Sequence, residues 1–401
     1  MSTTKFDPAT SLLDSLHTDQ NFGVNQAISD SATFTFVDGE QMTDTFNGEH
    51  QAFLYSRHWN PSTMELSKAL AAMEGTDMAW VTGSGMAAIT STILQLCKTG
   101  DHIVSSMTTY GGTFAFFKNW LPQMGITVTF VDISNLEEVE NAIQDNTKVI
   151  YTETMTNPLL QISDVPALSK ISKKHNTKLV IDNTFTPMIF SPIELGADIV
   201  VYSMTKFING KNDTTAGAIC ASEEFINSLI DLNDGTAMLL GPALDTMRAS
   251  SIHKNLFTLH IRMKQHSHNA MFLAEKFKEI GLRTNYAGCK DHPQHDLMKS
   301  MMNEEYGFGG MISIDLETKE KASKFMALMQ KKGVGYLAVS LGYFKTLFSN
   351  SGSSTSSEVP ESLQTKMGLS EGLVRYSVGL DNHIETTFET IKSCLDELDL
   401  L

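Results

Sequence analysis

The chain has 401 residues, 41% hydrophobic and 19% charged, enough apolar side chain for a large core in two or three domains. Thirty Lys and Arg against 46 Asp and Glu leave a net charge of −16, a poor footprint for nucleic acid or an anionic membrane, so neither partner is expected. No apolar stretch approaches a bilayer span, the opening MSTTKFDPATSLLDSL has no leader character, and Cys97, Cys220, Cys289 and Cys394 are scattered without a C-x-x-C pair, so a cytoplasmic protein with reduced thiols is expected.

Residues 1–60 are polar and weakly periodic, either a frayed terminus or an arm that folds against another subunit. From about Met64 to Ala221, short β-rich runs alternate with helical ones. AWVT precedes GMAAITSTILQLC; HIVSS precedes TFAFFKNWLPQM; ITVTFVD precedes LEEVENAIQ; KVIYTE precedes VPALSKISKKH; KLVID and DIVVYS each lead into a loop. This alternation predicts βαβ units and a largely parallel sheet covered on both faces, in an α/β fold. After Gly241 a long helical stretch reads as two helices or one bent one. GMISIDL, KEKASKFMALMQKK, LVRYSVGL and ETTFETIKSCLDEL then predict a smaller α+β domain. SNSGSSTSSE, 349–358, reads as a solvated Ser/Gly-rich loop.

In an open parallel sheet the ligand site lies beyond the carboxyl ends of the strands. The first strand runs into Gly83-Ser84-Gly85-Met86 at the start of a helix, where free amides and the helix dipole can hold a phosphate; the turn serves equally well for packing. The same segment loosely matches a dinucleotide fingerprint, but the second strand lacks the acidic residue that would hold a ribose, and no G-x-x-x-x-G-K-[ST] occurs. The second strand supplies Tyr110, a core aromatic or a lid over a planar ring. The fourth supplies Glu153 and Asn157, the fifth Asp182 and Thr184, and the sixth Ser203, Thr205 and Lys206. A lone lysine after a strand usually faces solvent. A helix-start glycine turn, an aromatic, an acid and a lysine converging on one edge describe instead a site for a flat, anionic, nitrogen-heteroaromatic aldehyde. Pyridoxal 5'-phosphate (PLP) fits, with its phosphate on the Gly85 and Met86 amides, Tyr110 over the ring, Asp182 at the ring nitrogen and Lys206 condensing with the aldehyde.

Tyr55-Ser56-Arg57 with Asn60-Pro61, then SGMAAI, TYGGT, DNTFTP, SMTKFINGKNDTTAG and VRYSVGL, in that order along nearly the whole chain, resemble the cysteine/methionine-metabolism (cystathionine γ-synthase-like) family of PLP-dependent enzymes. TFAF, SRHWNPS, LLGP, HSH, HPQH, AVSLGY and SGSSTSS most resemble its methionine γ-lyase branch. The resemblance implies PLP-dependent fold type I, aspartate-aminotransferase-like, with a mainly parallel sheet in the large domain. It also implies an arm over 1–60 that contacts a neighbouring subunit, a large PLP-binding domain over 61–255, a C-terminal α+β domain over 256–401, and a homotetramer built from two dimers.

By the same resemblance Tyr55 and Arg57 bind phosphate across the dimer interface, a task that suits a guanidinium fork. Ser203 and Thr205 join the phosphate cup; Glu153, Asn157 and Thr184 lie near the ring; Arg375 grips the substrate carboxylate, with Ser340 beside it at the substrate site. The implied reaction is α,γ-elimination of L-methionine to methanethiol, 2-oxobutanoate and ammonia, with Lys206 moving the Cα proton and Tyr110 protonating the leaving thiolate. Cystathionine γ-lyase, cystathionine γ-synthase or O-acyl-homoserine sulfhydrylase chemistry is the alternative, and a non-catalytic binding protein on this fold a more distant one. Three departures from the branch stand out: Gly112 where many members carry Cys, Lys211 where His is common, and a loop at 349–358 without the usual His-Pro start, in which Thr355 aligns with a family threonine. His266 and His268 are expected on the surface, and His292 and His295, at helical spacing without a third ligand, do not make a metal site. No metal is expected.

Overall fold

A computed structural model of the chain describes residues 6–19, 21–350 and 370–401. Seven strands, β1 (Met78–Thr82), β2 (His102–Ser106), β3 (Thr127–Val131), β4 (Thr147–Glu153), β5 (Lys178–Asp182), β6 (Ile199–Ser203) and β7 (Gly217–Ala221), form a sheet in the order β1-β7-β6-β5-β4-β2-β3. All six runs read from the sequence as strands are present. The strand absent from that reading is β7, which is inserted antiparallel between β1 and β6, while the other pairings are parallel. Its backbone passes so close to the turn after β1 that a Cβ on Gly217 would be 2.7 Å from the carbonyl carbon of Ser84.

This insertion matters for the site. Because β7 returns beside β6, the segment 204–216 that joins them begins and ends at the carboxyl edge of the sheet. That segment carries Lys206.

Both faces of the sheet are covered. One layer buries Leu66, Leu70, Val104, Ile150, Leu179, Ile181 and Tyr202; the other buries Ile89, Ile93, Ile103, Val149, Tyr151, Val180 and Val201. The alternation of neighbours such as Val149 and Ile150 between two clusters explains why these strands read as continuous apolar runs. The helix Pro61–Glu74 starts with Asn60 accepting from the Ser62 amide and with proline in its first turn, and ends at Gly75 in the left-handed region (φ 77°).

The stretch after Gly241 is two helices, Thr246–Leu256 and Leu259–Glu279. The second packs on a five-stranded sheet formed by β8 (Arg283–Asn285), β9 (Met311–Asp315), β10 (Tyr336–Leu337), β11 (Leu347–Asn350) and β12 (Leu373–Ser377), in the order β10-β11-β12-β9-β8. The helices Lys319–Lys331 and Ile384–Glu397 complete a second core that includes Phe277, Ile312, Phe325, Tyr376 and Phe388.

At the amino end, helix Pro8–Asp14 buries Ala9 and Leu12 in this chain's own large core. The Tyr306 hydroxyl donates to Asp7. Farther along, Phe22, Val24, Val37 and Phe46 are exposed.

His266 is not a surface residue as expected; its side chain is fully buried, its Nδ1 donates to the Val378 carbonyl at 2.6 Å, and its ring meets Phe207 edge-on. Burial pushes it down to about 4, so it is neutral and acts as a packing link. His268 is exposed. His292 bonds Asn285 and His295 bonds the Ala287 carbonyl, and among the described residues no group of three His, Cys, Asp or Glu is placed to hold a metal ion. The four cysteines are free and buried. Among the described residues no helix is long and apolar enough to cross a membrane. Residues 351–358 of the Ser-rich loop, Thr355 included, lie outside the described residues.

Candidate active site

At the carboxyl edge of the large sheet lies a cavity of about 220 Å³, closed on one side by Val339 and Leu341, between β10 and β11, and by Arg375 of β12. Its floor is set by strand ends. Helix Gly85–Leu96 begins there, with the Ser84 hydroxyl accepting from the Ala87 amide, which leaves the Gly85 and Met86 amides without partners among the described residues. A Cβ on Gly85 would stand 2.6 Å from the Ser203 Cβ and 2.9 Å from its Cα, so only glycine lets the helix start lie against β6. Ser203 and Thr205 line the same end. The Ser203 amide donates to Thr184 Oγ1 at 2.8 Å, and the Ala216 amide donates to Thr205 Oγ1 at 3.0 Å.

Asp182 and Glu153 stand opposite one another on paired strands. Glu153 accepts from the Tyr110 amide at 2.6 Å and the Asn157 amide at 2.8 Å. Asp182 accepts from the Thr184 amide at 2.9 Å. Burial raises Asp182 to about 6 against its bonds to Thr184. Burial, then the neighbouring Asp182, holds Glu153 well above the usual carboxyl range. Two buried acids this close favour a cationic partner between them and solvent.

Arg375, on β12, is buried, donates from Nη1 to Asn157 Oδ1 at 2.7 Å, and lies 5.9 Å from the Phe185 ring centroid. Burial lowers it to about 10, which leaves it charged at neutral pH. Lys206 Nζ donates to Ser340 Oγ at 3.0 Å. Burial, then repulsion from Arg375, lowers this amine to about 8. A neutral amine is therefore available in mildly alkaline solution.

Gly85, Met86, Tyr110, Glu153, Asn157, Asp182, Thr184, Ser203, Thr205, Lys206 and Arg375 all line this one cavity, and Ser340 touches it through Lys206. Tyr55 and Arg57 do not line it. Tyr55 is exposed, the Arg57 guanidinium lies 5.6 Å from the Tyr55 ring centroid, and Gly241 approaches the Arg57 stem. Sequence reasoning missed the apolar wall of Met155, Phe185, Val339 and Leu341, and also Thr215. Phe185, Val339 and Leu341 are immediate neighbours of named residues, and that adjacency was the available signal.

The donor set fits PLP: helix-start amides unpaired among the described residues, hydroxyls, a buried acid and a lysine amine lowered by burial, all lining one cavity. The fold is PLP-dependent fold type I. The structure of a protein assigned as an O-acetylhomoserine (thiol)-lyase of Campylobacter jejuni, which carries a pyridoxyl-lysine phosphate, superposes with a TM-score of 0.91 at 26% identity, covering 98% of this chain and 100% of that one.

Residues 9–395 match the Cys/Met metabolism PLP-dependent enzyme family, and the chain belongs to that family. It is 45% identical over 394 residues to a methionine gamma-lyase of Arabidopsis thaliana, covering 96% of this chain and 89% of that protein. To an L-methionine gamma-lyase of Fusobacterium nucleatum subsp. polymorphum it is 40% identical over 378 residues, covering 92% of this chain and 93% of that protein. PLP is the cofactor of this enzyme.

Proposed function

We propose that the enzyme catalyses α,γ-elimination of L-methionine, releasing methanethiol, 2-oxobutanoate and ammonia. The activity named for its two relatives supports this reading. The observation that carries it is the cavity itself, which sets a buried guanidinium and a depressed lysine amine beside an apolar wall of Met155, Phe185, Val339 and Leu341 suited to a thioether.

When bound, PLP supplies an aldehyde for the substrate's amino group and an aromatic ring that accepts electrons from Cα. The Gly85 and Met86 amides, with the Ser203 and Thr205 hydroxyls, hold the phosphate. Asp182 pairs with the protonated ring nitrogen, Tyr110 covers the ring, and Glu153, Asn157 and Thr184 fix the positions of these groups through the hydrogen bonds described above. Arg375 grips the substrate carboxylate with Ser340 beside it. The neutral Lys206 amine takes the Cα proton, and Tyr110 donates a proton to the leaving sulfur.

Tyr55 and Arg57, outside their own chain's cavity, are assigned to the phosphate site of a neighbouring copy. The assembly is then a homotetramer of two dimers, joined by the arm within 1–60 and built from a large domain over 61–255 and a C-terminal domain over 256–401. A cytoplasmic location accords with four buried free thiols.

Product analysis tests the reaction. Purified enzyme with PLP and methionine alone yields equal amounts of 2-oxobutanoate and methanethiol. No 2-oxobutanoate from methionine, together with thiol incorporation into an activated homoserine, overturns the elimination in favour of γ-synthesis or sulfhydrylation.

A further inference from the structure

Ser340 does more than neighbour the lysine. Its Oγ accepts from Lys206 Nζ at 3.0 Å and donates to Asn212 Oδ1, also at 3.0 Å. A serine hydroxyl has one proton and two acceptor positions. With that hydrogen donated to Asn212 Oδ1, Ser340 can only accept from the amine. Were the hydroxyl free to turn, it could donate to the neutral amine instead and occupy the lone pair that the chemistry needs.

Asn212 reaches this position with φ +50°, in the left-handed region, where asparagine is the best tolerated residue after glycine. It is not needed to hold the two segments together. The Gly342 amide donates to Ser377 Oγ at 2.8 Å, and Gly342 packs directly on the Phe207 backbone. From the other side Arg262 donates to the Phe207 and Ile208 carbonyls. Both Ser340 and Lys206 therefore sit on segments anchored without the Asn212 amide.

We propose that Asn212 is a positioning residue for the Lys206 amine, acting through Ser340: it accepts the hydrogen bond of the hydroxyl, turns an oxygen lone pair toward Nζ, and so keeps the amine's own lone pair directed into the cavity. The proposal rests on Lys206 being the lysine that condenses with PLP. Asn212 touches neither cofactor nor substrate in this account. The titratable groups that share the cavity with the amine are Arg375 on β12, Asp182 and Glu153 at the ends of β5 and β4, and Tyr110.

The test follows how fast apoenzyme takes up PLP, read as growth of the visible band formed when the aldehyde condenses with lysine, from pH 6 to 10. Pyridoxamine phosphate, which has no aldehyde, reports the integrity of the pocket. Asn212→Gly keeps the backbone conformation and removes the acceptor, so above the midpoint of the pH profile it slows uptake roughly fivefold, the scale of one ordinary hydrogen bond. Asn212→Asp keeps the acceptor and uptake at high pH, but its carboxylate moves the midpoint upward. In a Ser340→Ala background the glycine substitution has no further effect.

Wild-type uptake by Asn212→Gly overturns the proposal, as does equal slowing in the Ser340→Ala background, or loss of pyridoxamine phosphate binding in Asn212→Gly, which would make the residue merely structural. A wild-type protein that forms no band overturns the PLP assignment itself, and this inference with it.

Discussion

Gly85→Ala is the sharpest perturbation of the proposed phosphate end. The added methyl would stand 2.6 Å from the Ser203 Cβ and 2.9 Å from its Cα, whereas contacting carbons sit about 3.5–4.0 Å apart. Ser203 Cα belongs to β6, an interior strand paired on both sides, so no side-chain rotation relieves the overlap. The helix start and the strand must part by about 1 Å. A hydrogen bond stretched by that much is lost, and one to a charged group contributes about 1.5–3 kcal/mol. Losing a single amide-to-phosphate bond therefore weakens PLP binding roughly 10- to 150-fold. The assay is absorbance titration of apoenzyme, with thermal unfolding of the apo variant to show that it folds. A folded Gly85→Ala protein with a dissociation constant within twofold of wild type refutes the phosphate placement.

Two substitutions at Arg375 separate charge from geometry. Arg375→Lys keeps the positive charge that depresses Lys206, so the pH midpoint of PLP uptake stays in place while KM rises about tenfold through loss of the fork. Arg375→Leu removes the charge as well, and the midpoint moves to higher pH because the ammonium is no longer repelled. A midpoint that moves equally in both refutes the assignment of the repulsion to Arg375. Behind the sheet, Glu74 is buried against Tyr202, and burial raises it from the ordinary 4.5 to about 8. The folded chain thus binds this proton more tightly than the unfolded one, and its stabilisation is full below pH 4.5 and declines as pH rises to about 8. Glu74→Gln, which mimics the protonated acid, flattens that decline and is the more stable protein at pH 8.5 by up to several kcal/mol, read in thermal or urea unfolding. Parallel pH profiles for the two proteins refute the buried acid's role.

The parallel strands were readable because burial on both faces leaves unbroken apolar runs, and the residues that end those runs are the ones that line the cavity. β7 escaped because Gly-Ala-Ile-Cys-Ala is short and small-residue-rich, and its identity as a strand depends on the slot between β1 and β6, a long-range fact. His266 misled because Arg262, Lys264 and His268 on the same helix advertise solvent, while its buried face meets Phe207, in the segment after β6, and Val378, 112 positions on and just past β12. The wall of Val339 and Leu341, between β10 and β11, carries no chemical signature in sequence. Asn212 likewise had none, since its interest lies in a left-handed backbone and a bond to Ser340 across 128 positions. The placement of Lys206, Asp182 and Arg375 in one cavity was expected from motif order, and the elevation of Glu153 by burial came only with the packing.

The most direct measurement is the absorbance spectrum of purified protein given PLP, for wild type beside Lys206→Ala. Wild type develops the visible band, and Lys206→Ala develops none while still binding pyridoxamine phosphate. A band retained in the variant, or none in wild type, contradicts the placement of the reacting amine.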